Sequence, residues 1–147
     1  MGDNVTAVPG RFVGRVALIT GAASGIGKAT AFRLAAEGAA VAVVDRNADG
    51  AAATAQEIRE RGWNARAYTC DVSSSSDVNA LAVAVEKDLG PVDVLANVAG
   101  AADTAGLKGI LDVDDARWAL VLAVNLSGPF YLCRALVPGM AERGKGA

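Results

Sequence analysis

Short apolar runs alternate with stretches of helical periodicity along this chain, and the alternation constrains its fold more than any other feature. Four runs predict strands, at 15–20, 40–45, 65–72 and 92–100, the last including its exit loop. Between these runs, and again after 114, apolar residues recur at spacings of three and four, as on one face of a helix. Strand–helix–strand order with short connections predicts an α/β fold, in which a parallel sheet carries helices on both faces.

The expected ends of the helices carry residues that start or stop them. Gly38 and Gly62 follow the first two helical stretches, and a glycine–proline pair follows the third. Glycine commonly ends a helix at such positions. Serines at 73–76 offer N-caps for the third helix, and Asp114 or Asp115 begins the last one. We expect Pro129 to kink or divide that last helix, because proline lacks an amide donor.

The composition is that of one globular domain, 1–147. Hydrophobic residues make up 52% and charged residues 20% of the 147 residues, as in ordinary folded domains. The net charge is −2, and lysine and arginine form no run, so neither a nucleic acid nor an anionic membrane is favoured as a partner. Histidine is absent, which excludes Ser-His-Asp and HExxH sites, and we expect no metal. Cys70 and Cys133 are expected to be reduced and buried.

The start of the chain and its apolar segments bear on location. The first twelve residues, MGDNVTAVPGRF, contain no apolar core of the kind that a signal peptide needs. No uninterrupted apolar segment is long enough to cross a bilayer by inspection of the sequence. We therefore expect a cytoplasmic protein with no membrane partner.

The sequence TGAASGIGKAT, residues 20–30, follows the first apolar run and has competing interpretations. A P-loop needs G-x-x-x-x-G-K-[ST], but Ala22 stands where its first glycine belongs and Ala29 where its hydroxyl belongs. A dinucleotide loop needs glycines that let the backbone approach a pyrophosphate at a helix N-terminus, and the three glycines suit that role. A plain tight turn between strand and helix would also account for them.

Asp45 favours the dinucleotide loop. It ends the second apolar run, 18 residues after Gly27, near the spacing of about 20 at which a carboxylate binds the adenosine ribose. Such a carboxylate accepts hydrogen bonds from ribose hydroxyls and repels a 2′-phosphate, so we expect NAD, with NADP less favoured. The residues between the glycines are not basic, which agrees. A guanidinium at Arg46 could pair with a 2′-phosphate, but we interpret Arg46 as a solvated surface side chain.

The chain resembles the N-terminal part of a classical short-chain dehydrogenase/reductase. Four motifs of that family occur in the family's order: TGAASGIG (20–27), CDV (70–72), NVAG (97–100) and VNLSGPF (124–130). The resemblance covers nearly all of the chain. It implies a Rossmann-type doubly wound parallel sheet, truncated after the fourth strand and its following helix. It also implies an NAD(P)-dependent oxidoreductase that exchanges hydride between nicotinamide and a secondary alcohol or ketone.

The resemblance also implies a role for each matching position. Its cofactor-binding residues would be Gly21, Ser24, Gly25, Ile26 and Gly27 at the pyrophosphate, Asp45 with Arg46 at the adenosine ribose, Asp71 and Val72 at the adenine, and Asn97, Ala99 and Gly100 near the nicotinamide ribose. Asp71 has an alternative role as a cap at the end of its strand. Val98 departs from the family's N-N-A-G, which removes one polar contact that braces the sheet.

Asn125 resembles the asparagine of the catalytic tetrad, which holds a water in a proton relay; the alternative is a buried asparagine that stabilises the kink before Pro129.

The remaining tetrad residues of the family are a serine and a Tyr-x-x-x-Lys pair. Tyr68 lies in a predicted strand, and the fifth residue counted from Tyr131 is Ala135, so neither tyrosine is expected to be catalytic. Ser127 matches a structural position of its motif and not the catalytic serine. The family's later strands are also missing here, so we expect a bare edge on the fourth strand. The last helix should expose an apolar face, which in the family lies in a subunit interface and implies a homo-oligomer.

Two alternatives to an enzyme follow from the same residues. The first is a non-catalytic module that binds NAD, because the Tyr-x-x-x-Lys pair is absent from this chain. The second is a Rossmann-type methyltransferase, which also combines a glycine loop with an acid after the second strand. The NVAG and VNLSGPF motifs oppose the methyltransferase.

Overall fold

The computed structural model describes residues 7–102 and 109–147. The first six residues, and 103–108 of the connection before the last helix, lie outside the described residues. The strands are β1 (Val16–Thr20), β2 (Ala40–Asp45), β3 (Ala65–Thr69) and β4 (Val94–Ala96), and the helices are α1 (Gly25–Ala36), α2 (Ala48–Glu60), α3 (Ser75–Leu89), α4 (Asp115–Leu122) and α5 (Gly128–Glu142). A 3-10 turn precedes α4, and one π-helical turn, Ala123–Ser127, joins α4 to α5.

The four strands form one parallel sheet in the order β3-β2-β1-β4. Every residue of β1 is buried, because helices cover both faces of the sheet. Val16 and Leu18 belong to the core on the side of α3 and α5, whereas Ala17 and Ile19 belong to the core on the side of α1 and α2. This alternation is the period of two of a strand, and it confirms the predicted α/β fold of Rossmann type.

The strand β3 is shorter than the predicted 65–72, and β4 lies within the predicted strand and exit loop, 92–100. The chain leaves β3 after Thr69 and turns, with the Asp71 carboxylate accepting the Ser73 N–H at 2.9 Å. Beyond the end of β4, the amides of Val98 and Ala99 bond to the Thr20 hydroxyl and not to a neighbouring strand. The Cys70 N–H still donates to the Asp45 carbonyl at 3.1 Å, and side chains accept the backbone amides only beyond that point and beyond β4.

The outer edge of β4 is not bare, which corrects the expectation from the sequence. The Ala147 N–H donates to the Asp93 carbonyl at 3.0 Å, and the Leu95 N–H donates to the Ala147 carbonyl at 2.9 Å. Two bonds that straddle Val94 in this way are the pattern of a parallel ladder. Ala147, which follows α5 in the chain, therefore pairs with the outer edge of β4 at Val94.

Pro129 lies in the first turn of α5, directly after the π-helical turn. Proline donates no hydrogen bond, and a π turn is one way for a helix to accommodate the missing bond. The predicted kink or division therefore appears as a local change of helix type directly before Pro129, and the helical stretch continues from α4 into α5. Pro138 lies inside α5, and the sequence analysis did not anticipate that the helix continues through it.

The helical stretch Asp115–Glu142 corrects a second expectation. It has 28 residues, and an 18-residue stretch within it has a mean hydropathy of 1.6, so it meets the length and composition needed to cross a membrane. Length and composition do not by themselves distinguish a membrane-spanning helix from the core helix of a soluble protein, which meets the same standard. In this fold Leu132, Leu136 and Met140 of α5 pack into the core on the α3 side of the sheet.

The opposite side of this helical stretch is apolar and exposed. Trp118, Leu122, Leu126 and Phe130 follow one another at intervals of four and are exposed. The expected apolar face is therefore present in the structure.

The two cysteines differ in exposure, and both are free. Cys133 lies one residue beyond the buried Leu132 and is exposed, whereas Cys70 is buried. The expectation that both cysteines are buried is wrong for Cys133, because the buried side of α5 follows 132, 136 and 140.

A buried carboxylate joins the start of the described chain to α1. The Glu37 side chain is fully buried. It forms ion pairs with Arg11, at 2.5 Å, and with Arg33, and it accepts the Val8 N–H at 3.2 Å. Burial alone would raise the pKa of Glu37, but the hydrogen bonds from Arg33, the Val8 amide and Arg11 outweigh it and hold the pKa below the usual 4.5.

We expect Glu37 to make the stability of the protein depend on acid. Because its pKa is lower in the folded state, its stabilisation is complete above the unfolded pKa and is lost as the pH falls through the folded value. The urea midpoint should therefore fall as the pH is lowered below the usual 4.5, and Glu37→Gln should remove part of that fall. Glu60→Gln on the exposed side of α2 is the control, and an equal effect of both substitutions would contradict the assignment.

Candidate functional site

A cleft of about 560 Å³ opens at the carboxyl ends of the four strands. Its lining comes from the loop after β1, the end of β2, the turn after β3 and the loop after β4. This volume is typical of small-molecule sites. In an open parallel sheet such clefts form where the strand order reverses direction, which in this sheet is between β1 and β4.

The glycines of the loop after β1 are required by close backbone contacts. Gly21 has φ +66°, and a Cβ there would lie 2.9 Å from both Cα and N of Ala99. A Cβ at Gly27 would lie 2.2 Å from the Gly21 carbonyl oxygen. Gly25 has φ +52° and would meet no protein atom within 4 Å. Gly21 and Gly27 therefore allow the glycine loop, α1 and the β4 exit loop to pack together. Gly25 leaves open space beside the cleft.

The N-terminus of α1 follows this loop directly, and no side chain caps the amides of its first turn. Ser24 is the N-cap residue of α1, but its side chain accepts no hydrogen bond from the first turn, and that turn has no acidic residue. In contrast, Asn47 caps α2 and Ser74 caps α3 with their own side chains. The positive end of the α1 dipole is thus left for an anion from outside the helix.

Asp45 binds the glycine loop to the end of β2. Its Oδ2 accepts the Ala23 N–H at 3.0 Å, and its Oδ1 accepts the Asn47 N–H at 2.9 Å. A carboxylate has about four lone-pair sites, so both oxygens retain capacity for a ligand. Arg46 is exposed, as the sequence analysis expects, but it also lines the cleft beside Asp45.

Asp71 caps the turn after β3 and also lies in the lining of the cleft. Its Oδ1 accepts the side-chain hydroxyl of Ser73 at 2.6 Å as well as the Ser73 amide, which is a turn cap, and the residue also lines the cleft. The hydrogen bonds from Ser73 lower the pKa of Asp71, and the charge of Arg46 lowers it further. Burial, with the charges of Asp77 and Asp71, raises the pKa of the neighbouring Cys70 thiol to about 11. That thiol is therefore protonated at neutral pH.

Thr20 organises the site, and the sequence analysis did not single it out. Its side chain is buried at the end of β1. The hydroxyl accepts the N–H groups of Val98 and Ala99, each at 3.1 Å, and donates to the Ala96 carbonyl at 3.4 Å. One hydroxyl therefore joins β1 to the β4 exit loop. Its position directly before the first glycine is the only signal for this role in the sequence.

Removing the Thr20 hydroxyl should loosen that loop. Thr20→Val leaves two amides without an acceptor and should lower the free energy of unfolding by about 3 kcal/mol. Thr20→Ser keeps the hydroxyl, loses one methyl group and should cost about 1 kcal/mol. Urea unfolding measures both values. Equal stability of the valine and serine variants would show that the hydroxyl does not hold the loop.

Every predicted cofactor residue except Asn97 lines the cleft. Asn97 is exposed, and its Nδ2 lies 3.9 Å from Sγ of Cys133. The structure therefore does not bring Asn97 together with the others. Val98, which replaces the family's second asparagine, does line the cleft.

Asn125 lies in the π-helical turn and is exposed, so the alternative of a buried asparagine is wrong. Its Oδ1 accepts the Ala101 N–H at 2.7 Å, and its Nδ2 donates to the Ala101 carbonyl at 2.8 Å. The amide therefore bonds to both backbone groups of one residue of the β4 exit loop. This positions Asn125 next to Gly100 at the rim of the cleft.

The remaining candidate side chains lie elsewhere. The Tyr68 hydroxyl donates to Asp88 at 3.2 Å, and burial and this carboxylate raise its pKa to about 12. Tyr131 stacks against Phe130 with ring centroids 5.6 Å apart, and neither tyrosine lines the cleft. Lys28 pairs with Glu57 at 2.7 Å outside the cleft, where it could not serve as the lysine of a P-loop.

Comparison with known proteins places the chain among dehydrogenases. The short chain dehydrogenase family model matches residues 15–147. D-threitol dehydrogenase of Mycolicibacterium smegmatis is 46% identical over 138 residues, which are 93% of this chain and 52% of that protein. The 3beta-hydroxysteroid dehydrogenase of Mediterraneibacter gnavus is 37% identical over 137 residues, 93% of this chain and 49% of that protein.

The solved structures give the same result. The crystal structure of a metagenomic short-chain oxidoreductase in complex with NADP matches with a TM-score of 0.86 and 36% identity, over 92% of this chain and 60% of that one. The chain therefore matches the fold closely, but it spans about half the length of the curated relatives.

Proposed function

The chain belongs to the short-chain dehydrogenase family, and from this premise we propose that it forms the cofactor-binding part of an NAD-dependent oxidoreductase. The reaction is hydride exchange between nicotinamide and a secondary alcohol or ketone. The relatives are named for dehydrogenation of a sugar alcohol and of a steroid, so the class of reaction is shared while the substrate differs. Names of this kind do not favour the non-catalytic module.

One observation carries the proposal: the cleft gathers, from four separate loops, every residue assigned to the cofactor except Asn97. The loops follow four different strands and are distant in sequence. Their convergence on one volume of about 560 Å³ is the arrangement of an open α/β sheet that binds a ligand at its switch point.

The residues present fit a dinucleotide. Gly21, Ser24, Gly25, Ile26 and Gly27 would hold the pyrophosphate, because the uncapped α1 amides and the open space at Gly25 suit a close anion. Asp45 would hold the adenosine ribose, and Asp71 and Val72 would border the adenine. When bound, the cofactor supplies the hydride acceptor or donor. Asn125 fixes the backbone of the loop beside it through its two bonds to Ala101.

The choice of NAD over NADP rests on Asp45. Its carboxylate lies in the cleft and would repel a 2′-phosphate, and the residues between the glycines carry no positive charge. Arg46 lines the cleft as well and provides the opposing attraction. One solved relative is a complex with NADP, so membership of the family does not by itself favour NAD. The proposed preference for NAD therefore depends on Asp45 and Arg46.

We further propose that the whole protein is a homo-oligomer. The exposed apolar stripe at Trp118, Leu122, Leu126 and Phe130 supports this proposal. A contiguous apolar face of this kind typically marks an interface. Size-exclusion chromatography with light scattering on the native gene product tests it, and a monomer at micromolar concentration would contradict it.

The proposed function is tested on the product of the native gene. Its intact mass should exceed the 14.8 kDa of this chain, because the relatives are about twice as long. Calorimetry should show saturable binding of NAD that is tighter than that of NADP, and a panel of secondary alcohols should yield NADH. Tighter binding of S-adenosylmethionine than of NAD, or no binding of either dinucleotide, would overturn the proposal.

A further inference from the structure

A second groove of about 560 Å³ lies on the outer side of α1 and α2. Gly25 is the one residue that it shares with the cleft at the strand ends. The rings of Phe32 and Trp63 line it, together with the small side chains of Ala29 and Ala36. The groove therefore offers apolar and aromatic surface to a ligand of ordinary size.

The charges around this groove favour an anion. Lys28, Arg33 and Arg61 line it against a single carboxylate, Glu57. The chain as a whole has a net charge of −2, so the groove is locally positive on an acidic protein. A concave surface with an excess of one sign of charge concentrates ligands of the opposite sign.

Two of the three cations are already paired within the protein. Lys28 pairs with Glu57 at 2.7 Å, and Arg33 pairs with the buried Glu37. Across residues 7–102 and 109–147, Arg61 has no carboxylate partner. Its guanidinium lies 4.8 Å from the centroid of Phe32 and 5.8 Å from that of Trp63. These cation–π contacts hold the guanidinium at the groove without using its fork of N–H donors.

We propose that this groove binds a small aromatic carboxylate. The carboxylate would take two hydrogen bonds from the Arg61 fork, which is the geometry that the guanidinium matches. The aromatic body would pack against Phe32, Trp63 and the two alanines. A phosphate dianion fits less well, because it would call for a second unpaired cation. The groove adjoins the dinucleotide cleft at Gly25, but the proposal uses no residue of the cofactor site and does not rest on the proposed reaction.

The first test is a titration of the native gene product with phenylacetate and with neutral phenylacetamide, followed by NMR. The indole N–H cross-peak of Trp63, identified by its loss in Trp63→Phe, reports on the groove alone. Phenylacetate should shift this peak saturably, with phenylacetamide at least about tenfold weaker. An unmoved Trp63 peak, or equal affinity for the acid and the amide, would overturn the proposal.

The affinity of variants for phenylacetate then tests whether Arg61 itself binds the carboxylate, or whether any arginine on the surface would do. Arg61→Gln should weaken phenylacetate by about tenfold or more, and Arg61→Lys, which keeps the charge but loses the fork, should be intermediate. Arg134 is the matched control, because its guanidinium lies 5.0 Å and 5.3 Å from the rings of Phe130 and Tyr131 but outside the groove. Arg134→Gln should leave the affinity unchanged.

Circular dichroism establishes that each variant is folded. If Arg61→Gln does not fold, the lysine variant decides. An affinity that is insensitive to substitution of Arg61, or that falls equally in Arg134→Gln, would overturn the proposal.

Discussion

Gly21→Ala should lower the free energy of unfolding by about 3 kcal/mol and abolish measurable NAD binding. Gly21 has φ +66°, a conformation that costs a residue with a Cβ about 1–2 kcal/mol. The new Cβ would also lie 2.9 Å from backbone atoms of Ala99, so the β4 exit loop must move. Since that loop and the glycine loop both line the cleft, the movement deforms the proposed site. Urea unfolding and calorimetric titration with NAD measure the two effects.

Gly62→Ala is the matched control for backbone strain. Gly62 has φ +82°, but a Cβ there would meet no atom within 4 Å. Its alanine variant should therefore lose only about 1 kcal/mol of stability and should keep its affinity for NAD. If both variants lose the same free energy of unfolding, the close approach of the new Cβ at position 21 to Ala99 does not destabilise the protein. If a folded Gly21→Ala variant binds NAD normally, the pyrophosphate does not lie at this loop.

Asp45→Ala should weaken NAD by about thirtyfold and NADP by less than about threefold, because a charged hydrogen bond contributes about 1.5–3 kcal/mol. The carboxylate would accept hydrogen bonds from the ribose of NAD, and its removal also relieves repulsion of a 2′-phosphate. Loss of the bond from the Ala23 amide loosens the glycine loop and affects both cofactors alike. The ratio of the two dissociation constants, measured by calorimetry, is therefore the informative quantity.

Arg46 provides the reciprocal control. Arg46→Gln should weaken NADP and leave NAD unchanged, because the guanidinium beside Asp45 is the cleft-lining cation that could pair with a 2′-phosphate. A loss of equal size for both cofactors in Asp45→Ala would mean that Asp45 acts only as the anchor of the loop, and the preference for NAD would then have to be abandoned.

The sequence predicts most of the architecture because its signals are local. The strand at 40–45 appears with the predicted bounds, and α4 begins at Asp115, one of its two predicted starts, with Asp114 as the cap. Apolar periodicity and capping residues act within a few positions of the chain, so inspection of the sequence finds them. The prediction for β3 extends too far, because the chain turns at Asp71, whose carboxylate accepts the Ser73 amide. The bonds that hold the β4 exit loop come from the distant Thr20 hydroxyl, which local periodicity does not reveal.

The same reasoning applies to the candidate site. The glycine spacing and Asp45 identify the loops, and the structure brings those loops to one cleft. Asn97 belongs to the same motif as Ala99 and Gly100, yet it does not line the cleft. The Asn97 side chain instead lies beside Cys133 of α5, with Nδ2 3.9 Å from Sγ, so membership of a motif does not determine which side chains face a ligand.

The sequence by itself therefore determined the order of strands and helices, the type of loop after β1 and the family. These depend on residue type and spacing along the chain. Only the tertiary structure decided that Thr20 joins β1 to the β4 exit loop, that Ala147 pairs with β4, and that Arg61 lies between two aromatic rings on a second groove. Each of these contacts joins residues whose distance in space depends on how the sheet and helices pack, and no local pattern encodes it.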